Sequence, residues 1–92
     1  MKLILCRKCQ DVFKLQLEPR TCLCGATWGK YGEDELHAQY SGEFAVPIGF
    51  SNDSFAFAVR HQPAVGMGLD FLAFVIPKQC TTLEVLDAAP SE

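Results

Sequence analysis

Cys6-Arg7-Lys8-Cys9-Gln10 and, with twelve residues between Cys9 and Cys22, Cys22-Leu23-Cys24-Gly25 decide how this chain is read. Two closely spaced cysteine pairs are the pattern of a tetrahedral metal site, in which four thiolates close around one ion. A two-residue spacer lets both sulfurs of a tight turn face one point. The one-residue spacer of the second pair is shorter than usual, and Gly25 supplies the backbone freedom such a turn needs. The expectation is one structural Zn²⁺ per chain on Cys6, Cys9, Cys22 and Cys24.

Other chemistries use the same residues. A redox Cys-x-x-Cys normally sits at a helix N-terminus, which lowers the thiol pKa, whereas the residues after Cys9 read as a strand. Four thiolates also suit iron, and disulfides are a further alternative. Cys80, the fifth cysteine, reads as a small apolar residue and as a substitute ligand for Cys22 or Cys24. His37 and His61 are isolated in sequence and are weaker substitutes.

Between the pairs, Val12-Phe13-Lys14-Leu15-Gln16-Leu17 alternates, with Phe13, Leu15 and Leu17 on one face, which predicts a strand. Glu18-Pro19-Arg20 ends it. A second strand is expected from Trp28 to Tyr31, with bends at Gly29 and Gly32. Glu33-Asp34-Glu35 reads as an exposed acidic turn. Leu36 to Ile48 predicts two strands hinged at Ser41-Gly42, the second at a sheet edge because of Pro47. Ser51-Asn52-Asp53 resembles a capped helix start, with Phe55, Ala58 and Val59 as the buried stripe of a helix over about 52–61. Phe55, Phe57 and Val59 also fit a strand. Val65 to Gly68 reads as a loop, Gly68 to Ile76 as a strand stopped by Pro77, and Thr81 to Leu86 as a last strand.

The stretch over residues 3–31 resembles a zinc ribbon: Cys-Arg-Lys-Cys, a strand-like arm, then Cys-Leu-Cys-Gly. It departs from the common pattern where Gln10 replaces the usual glycine, and in the short second spacer. The wider pattern Cys-x-Cys-Gly-x-Thr-x-Gly-x-Tyr, followed by a strand-rich region, is similar to small uncharacterised zinc-ribbon proteins of bacteria and their phages. That resemblance implies no assigned activity.

At 92 residues the chain is expected to form one domain of α+β, mostly β, class. An N-terminal zinc ribbon (1–32) would join a small antiparallel sheet with one short helix (33–87), followed by a tail (88–92). The Phe-rich segments are expected to supply the core of the second half. A domain this small buries roughly 60–65% of its unfolded surface, so a metal staple answers a real shortage of core. No stretch approaches the ~20 apolar residues of a membrane span. The apolar run before Cys6 is too short for a lipoprotein signal, and a cytoplasmic location, bacterial or host if phage-encoded, is expected because thiols stay reduced there.

Charge is unevenly spread. Residues 1–30 carry six basic and two acidic side chains, and residues 31–92 carry two basic and nine acidic ones. A net acidic chain is a poor general nucleic-acid binder. The leading expectation is therefore a non-enzymatic binding or regulatory protein acting through protein contacts, in the manner of a phage inhibitor of a host protein. The alternative is nucleic-acid binding on a basic, aromatic ribbon face made of Arg7, Lys8, Arg20, Trp28 and Lys30. A small ligand or nucleotide between ribbon and sheet is a third reading, and edge pairing into a homodimer a further expectation. No catalytic triad is legible, four thiolates leave zinc no open position, and Gly66-Met67-Gly68 lacks the rest of a phosphate-binding motif.

Overall fold

A computed structural model describes residues 1–86. The predicted tail lies outside the described residues. The fold is mostly β, with two four-stranded sheets and one short helix. The strands are β1 (Lys2–Cys6), β2 (Val12–Lys14), β3 (Arg20–Thr21), β4 (Trp28–Tyr31), β5 (Ala38–Ser41), β6 (Ala45–Phe50), β7 (Ala73–Val75) and β8 (Leu83–Leu86), and the helix α1 is Asn52–Arg60. The first sheet runs β2-β1-β6-β7, all antiparallel; the second runs β3-β4-β5-β8. Its last pair, β5 with β8, is parallel.

Each cysteine pair caps one hairpin, and the two hairpins belong to different sheets. β1–β2 carries the first pair and is widened by β6; β3–β4 carries the second and is widened by β5. The expected bend at Gly29 is instead a close approach between the sheets. Gly29 lies within β4, and a Cβ there would sit 2.6 Å from Leu15 Cδ2 and 3.6 Å from Ile4 Cγ1. The core collects at this contact: Ile4, Cys6, Phe13 and Leu15 from one sheet, Ala38, Tyr40 and Leu83 from the other, with Cys22 and Ile76.

Three expectations are corrected by packing. Leu17 does not share the buried face of Phe13 and Leu15; it is 50% exposed. The strand ends at Lys14, and Gln16 O accepts from Tyr31 N–H (2.7 Å), turning the chain toward β4. The two strands around Ser41-Gly42 are not a hairpin: β5 and β6 lie in different sheets, and Gly42, at φ 124 against Ala26 O, carries the chain between them. Pro47 is not at an edge, since β6 lies between β1 and β7. Arg7 N–H donates to Phe44 O (2.9 Å) and Phe50 N–H to Met1 O (3.0 Å). By alternation Pro47 faces Ile4 at a position that needs no N–H toward β1.

The helix forms where the sequence predicts it, but differently supported. Ser51 sits at the N-cap without a side-chain cap bond. Ser54 Oγ bridges instead, donating to Ser51 O (3.2 Å) and accepting from Leu72 N–H (2.9 Å). No residue of α1 is buried, and Val59 is 57% exposed. The expected strand over Gly68–Ile76 contracts to Ala73–Val75. Phe50, Phe55 and Phe71 form a small triad with ring centroids 4.8–5.5 Å apart, while Phe57 and Phe74 are at least half exposed. The main core therefore comes largely from the first half of the chain, and the Phe-rich half adds only this satellite. No helix among the described residues is long and apolar enough to cross a membrane.

Candidate metal centre

The two cysteine turns are built alike. Cys6 N–H donates to Asp11 O (2.9 Å), and Cys22 N–H to Thr27 O (3.0 Å), so each hairpin closes over five residues. Inside each turn a second bond returns to the leading cysteine: Gln10 N–H to Cys6 O (2.7 Å) and Gly25 N–H to Cys22 O (3.1 Å). Both donors are left-handed, Gln10 at φ 63 and Gly25 at φ 79. Gln10 thus takes the conformation that a glycine usually fills. The missing spacer residue of the second pair is compensated after Cys24, where Gly25 and Ala26 complete the same five-residue closure.

The turns converge on one point. All four sulfurs lie within 4.8 Å of one another, with Cys22 and Cys24 at 3.4 Å and Cys6 and Cys24 at 3.8 Å. A tetrahedron with metal–sulfur bonds of ~2.3 Å has edges of about 3.8 Å, so the set can hold a metal ion. All four cysteines are free. Cys6 and Cys22 are buried, Cys9 is half-buried and Cys24 is exposed, which places one corner of the site at the surface.

Protonation is uneven across the cluster. The Thr27 hydroxyl, opposed by burial and helped by the Cys9 and Lys8 backbone N–H groups, holds the Cys6 thiol down at about 6. Burial raises the Cys22 thiol, but hydrogen bonds from Cys24 and the Thr27 N–H outweigh it, and its pKa is lowered. At Cys24 the Ala26 N–H favours the thiolate, yet burial and three neighbouring sulfurs prevail and raise it to about 11. The cluster favours its first thiolates and resists the last, because four anionic sulfurs this close repel one another. A dication removes that repulsion. Thr27 adds a second sign of fit: its side chain is fully buried, and its Oγ1 has no nitrogen or oxygen partner among the described residues. A thiolate at Cys6 gives that hydroxyl its acceptor.

Asp11 locks the turns together, its carboxylate accepting from Leu23 N–H at 3.1 Å. Neither Asp11 nor Thr27 stands out as a site residue in the sequence. The signal that marks them is their offset: each lies five residues after the leading cysteine of its pair.

The substitute ligands lie elsewhere. Cys80 Sγ contacts Thr82 Oγ1 at 3.4 Å and does not join the cluster. His37 Nδ1 pairs with the Asp34 carboxylate, and the His61 ring stacks at 4.2 Å on Phe57. The five proposed contact residues are dispersed. Trp28 is buried in β4 at 8% exposure. Arg7 donates to Glu43 O (2.9 Å), Lys8 stands 5.9 Å over the Phe44 ring, and Arg20 lies 6.0 Å over Phe13 while donating to Lys14 O. Lys30 borders an open cavity shared with Glu33 and Glu84. A larger open cavity of about 600 Å³ lies between β2 and β4, lined by Lys14, Glu18, Tyr31 and Asn52 among others. Comparison with family models, with curated proteins and with solved structures yields no match.

Proposed function

We propose that this protein is a non-enzymatic binding module, stapled by one structural zinc ion on Cys6, Cys9, Cys22 and Cys24, that acts through contact with another protein. The observation that carries the metal half is the convergence of four free sulfurs within 4.8 Å on two matched turns. Four thiolates complete zinc's tetrahedron and leave no position for substrate. The ion's work is structural: it ties the hairpin of one sheet to the hairpin of the other.

The contact half rests on surface. From α1 to β7 the chain exposes Phe57, Val65, Met67, Leu72, Phe74 and Val75, all at least half open. Apolar exposure on that scale marks a partner site. The acidic excess of residues 31–92 suits a basic partner, as expected of a small inhibitor of a host enzyme. Nucleic-acid binding is the weaker reading, because Trp28 is buried and Arg7 and Arg20 are committed to backbone carbonyls.

Elemental analysis of protein purified without added metal tests the first half. About one zinc per chain is expected, lost in Cys→Ser variants at positions 6, 9, 22 and 24 and kept in Cys80→Ser. Freshly reduced protein with no metal would overturn it. Partner recovery that survives nuclease treatment supports the second half, and recovery abolished by nuclease refutes it.

A further inference from the structure

We infer that Cys22 and Cys24 form a peroxide-reactive site: on oxidation the two pair as a disulfide and the cluster gives up its ion. The inference rests on the zinc reading above and adds a means of regulating that site.

Exposure decides where an oxidant enters. Cys24 is the exposed member of the cluster, while Cys6 and Cys22 are buried and Cys9 is half-buried. It stands on an open corner, since Leu23 before it is 86% exposed and Gly25 after it is exposed too. Oxidation of a cysteine follows thiolate character and access. A cluster that binds zinc holds all four sulfurs as thiolates, so access is what tells them apart.

Distance decides which sulfur follows. Cys22 Sγ lies 3.4 Å from Cys24 Sγ, and Cys6 Sγ lies 3.8 Å from it. A disulfide brings its sulfurs to ~2.05 Å. Between Cys22 and Cys24 that movement stays inside one turn, and the exposed Cys24 side chain can supply it. Cys6 belongs to the hairpin of the other sheet. Bonding it to Cys24 moves one hairpin against the other, with Cys6 fully buried in the core. Cys80 lies outside the cluster.

The chemistry balances with hydrogen peroxide as the oxidant. The Cys24 thiolate attacks one peroxide oxygen, the O–O bond breaks, and hydroxide leaves as the sulfur becomes a sulfenic acid. The Cys22 thiolate then attacks the Cys24 sulfur; the S–S bond forms, the S–O bond breaks and a second hydroxide leaves. Both hydroxides take protons from solvent, so the two thiolates give up two electrons and one peroxide becomes two waters. Cys6 and Cys9 alone do not complete a tetrahedron, and the site empties. The Asp11–Leu23 hydrogen bond still joins the two turns. A disulfide across a single residue closes a small, strained ring, which thiols reduce readily, so the step is reversible.

The test adds hydrogen peroxide in steps to the zinc-loaded full chain. A chromogenic chelator reads released zinc, and alkylation mapped by mass spectrometry reads each cysteine. Zinc release is expected to rise together with loss of alkylation at Cys22 and Cys24, while Cys6 and Cys9 become open to alkylation. Dithiothreitol with added zinc should restore the starting state. Cys24→His keeps a fourth ligand without the exposed thiolate, and should retain its ion at peroxide levels that empty the wild type. The mapping needs only wild-type protein and decides the question should the variant fail to fold. A first disulfide at any other pair overturns the inference. So does zinc loss with Cys22 and Cys24 still open to alkylation, or an ion retained in excess peroxide. Protein that carries no zinc, yet forms the Cys22–Cys24 disulfide first, refutes the zinc reading and supports the reactive pair.

Discussion

The Asp11 carboxylate accepts the backbone N–H of Leu23 at 3.1 Å, joining the turn of one cysteine pair to the turn of the other without a metal. Asp11 also closes its own hairpin, its carbonyl taking the Cys6 N–H at 2.9 Å. One residue therefore sets both the shape of the first turn and its distance from the second. A hydrogen bond to a charged acceptor contributes about 1.5–3 kcal/mol, and solvent reduces that here because the contact is exposed. Asp11→Ala should lower metal affinity by about tenfold, as loss of a supporting contact around a site commonly does. Competition with a chromogenic chelator measures this. Unchanged affinity would mean that the four sulfurs converge without the link.

The cluster of four cysteines was largely legible from spacing, because each pair occupies one local turn. Long-range order was not. Nothing in Ser41-Gly42 distinguishes a hairpin from a crossing between sheets; the choice is made by Ala26 O and Thr27 packing against Gly42. Pro47 misleads for a related reason: alternation turns its missing N–H away from β1 and toward Ile76, one residue past the end of β7, so the lost bond falls at the end of that ladder. The seven Phe suggested a second core, yet hydrophobicity alone does not say what a side chain is covered by, and Phe57 and Phe74 are covered by little.

Gln10 is held at φ 63 and Gly25 at φ 79 in equivalent places. A left-handed residue with a Cβ is strained by about 1 kcal/mol relative to glycine. Gln10→Gly should therefore stabilise the protein by about 0.5–1 kcal/mol, less the extra chain entropy of glycine. Gly25→Ala should destabilise it by a similar amount, the backbone strain less the chain entropy that alanine removes, since a Cβ there meets nothing within 4 Å. Thermal melts of the metal-loaded protein read both. Equal and opposite shifts are the signature of matched turns, and a destabilised Gln10→Gly variant would contradict it.

Gly29 lets the two sheets touch. A Cβ at this position would lie 2.6 Å from Leu15 Cδ2 and 3.4 Å from Gln39 O. The Leu15 end is flexible, but Leu15 is fully buried in the core, so shifting it disturbs its packing. Overpacking of this kind costs about 1–3 kcal/mol, and Gly29→Ala should lose that much in denaturant unfolding. Gly29→Ala with Leu15→Ala should recover part of the clash but open a cavity, so the pair should deviate from additivity. Additive effects would show that Gly29 does not approach Leu15.

Asp34 closes the β4–β5 loop, accepting from the His37 ring nitrogen and from the N–H groups of His37 (2.9 Å) and Leu36 (3.0 Å). The His37 ring contact comes first in strength, the two backbone bonds next, and together they lower its carboxyl from 3.8 to about 2. A depressed carboxylate pKa stabilises the fold above the unfolded value, and that stabilisation is lost as pH falls through the folded one. The loop's contribution should thus be complete above about pH 4 and disappear toward about pH 2. It should be small, because the pair is exposed. Carbon-detected NMR titration should place the Asp34 carboxyl near 2 in the wild type and higher in His37→Ala, though still below 3.8, since both backbone donors remain. A stability difference between wild type and Asp34→Asn should be present at neutral pH and shrink across the same window. A wild-type carboxyl titrating at its ordinary value would show that the His37 contact does not persist in solution.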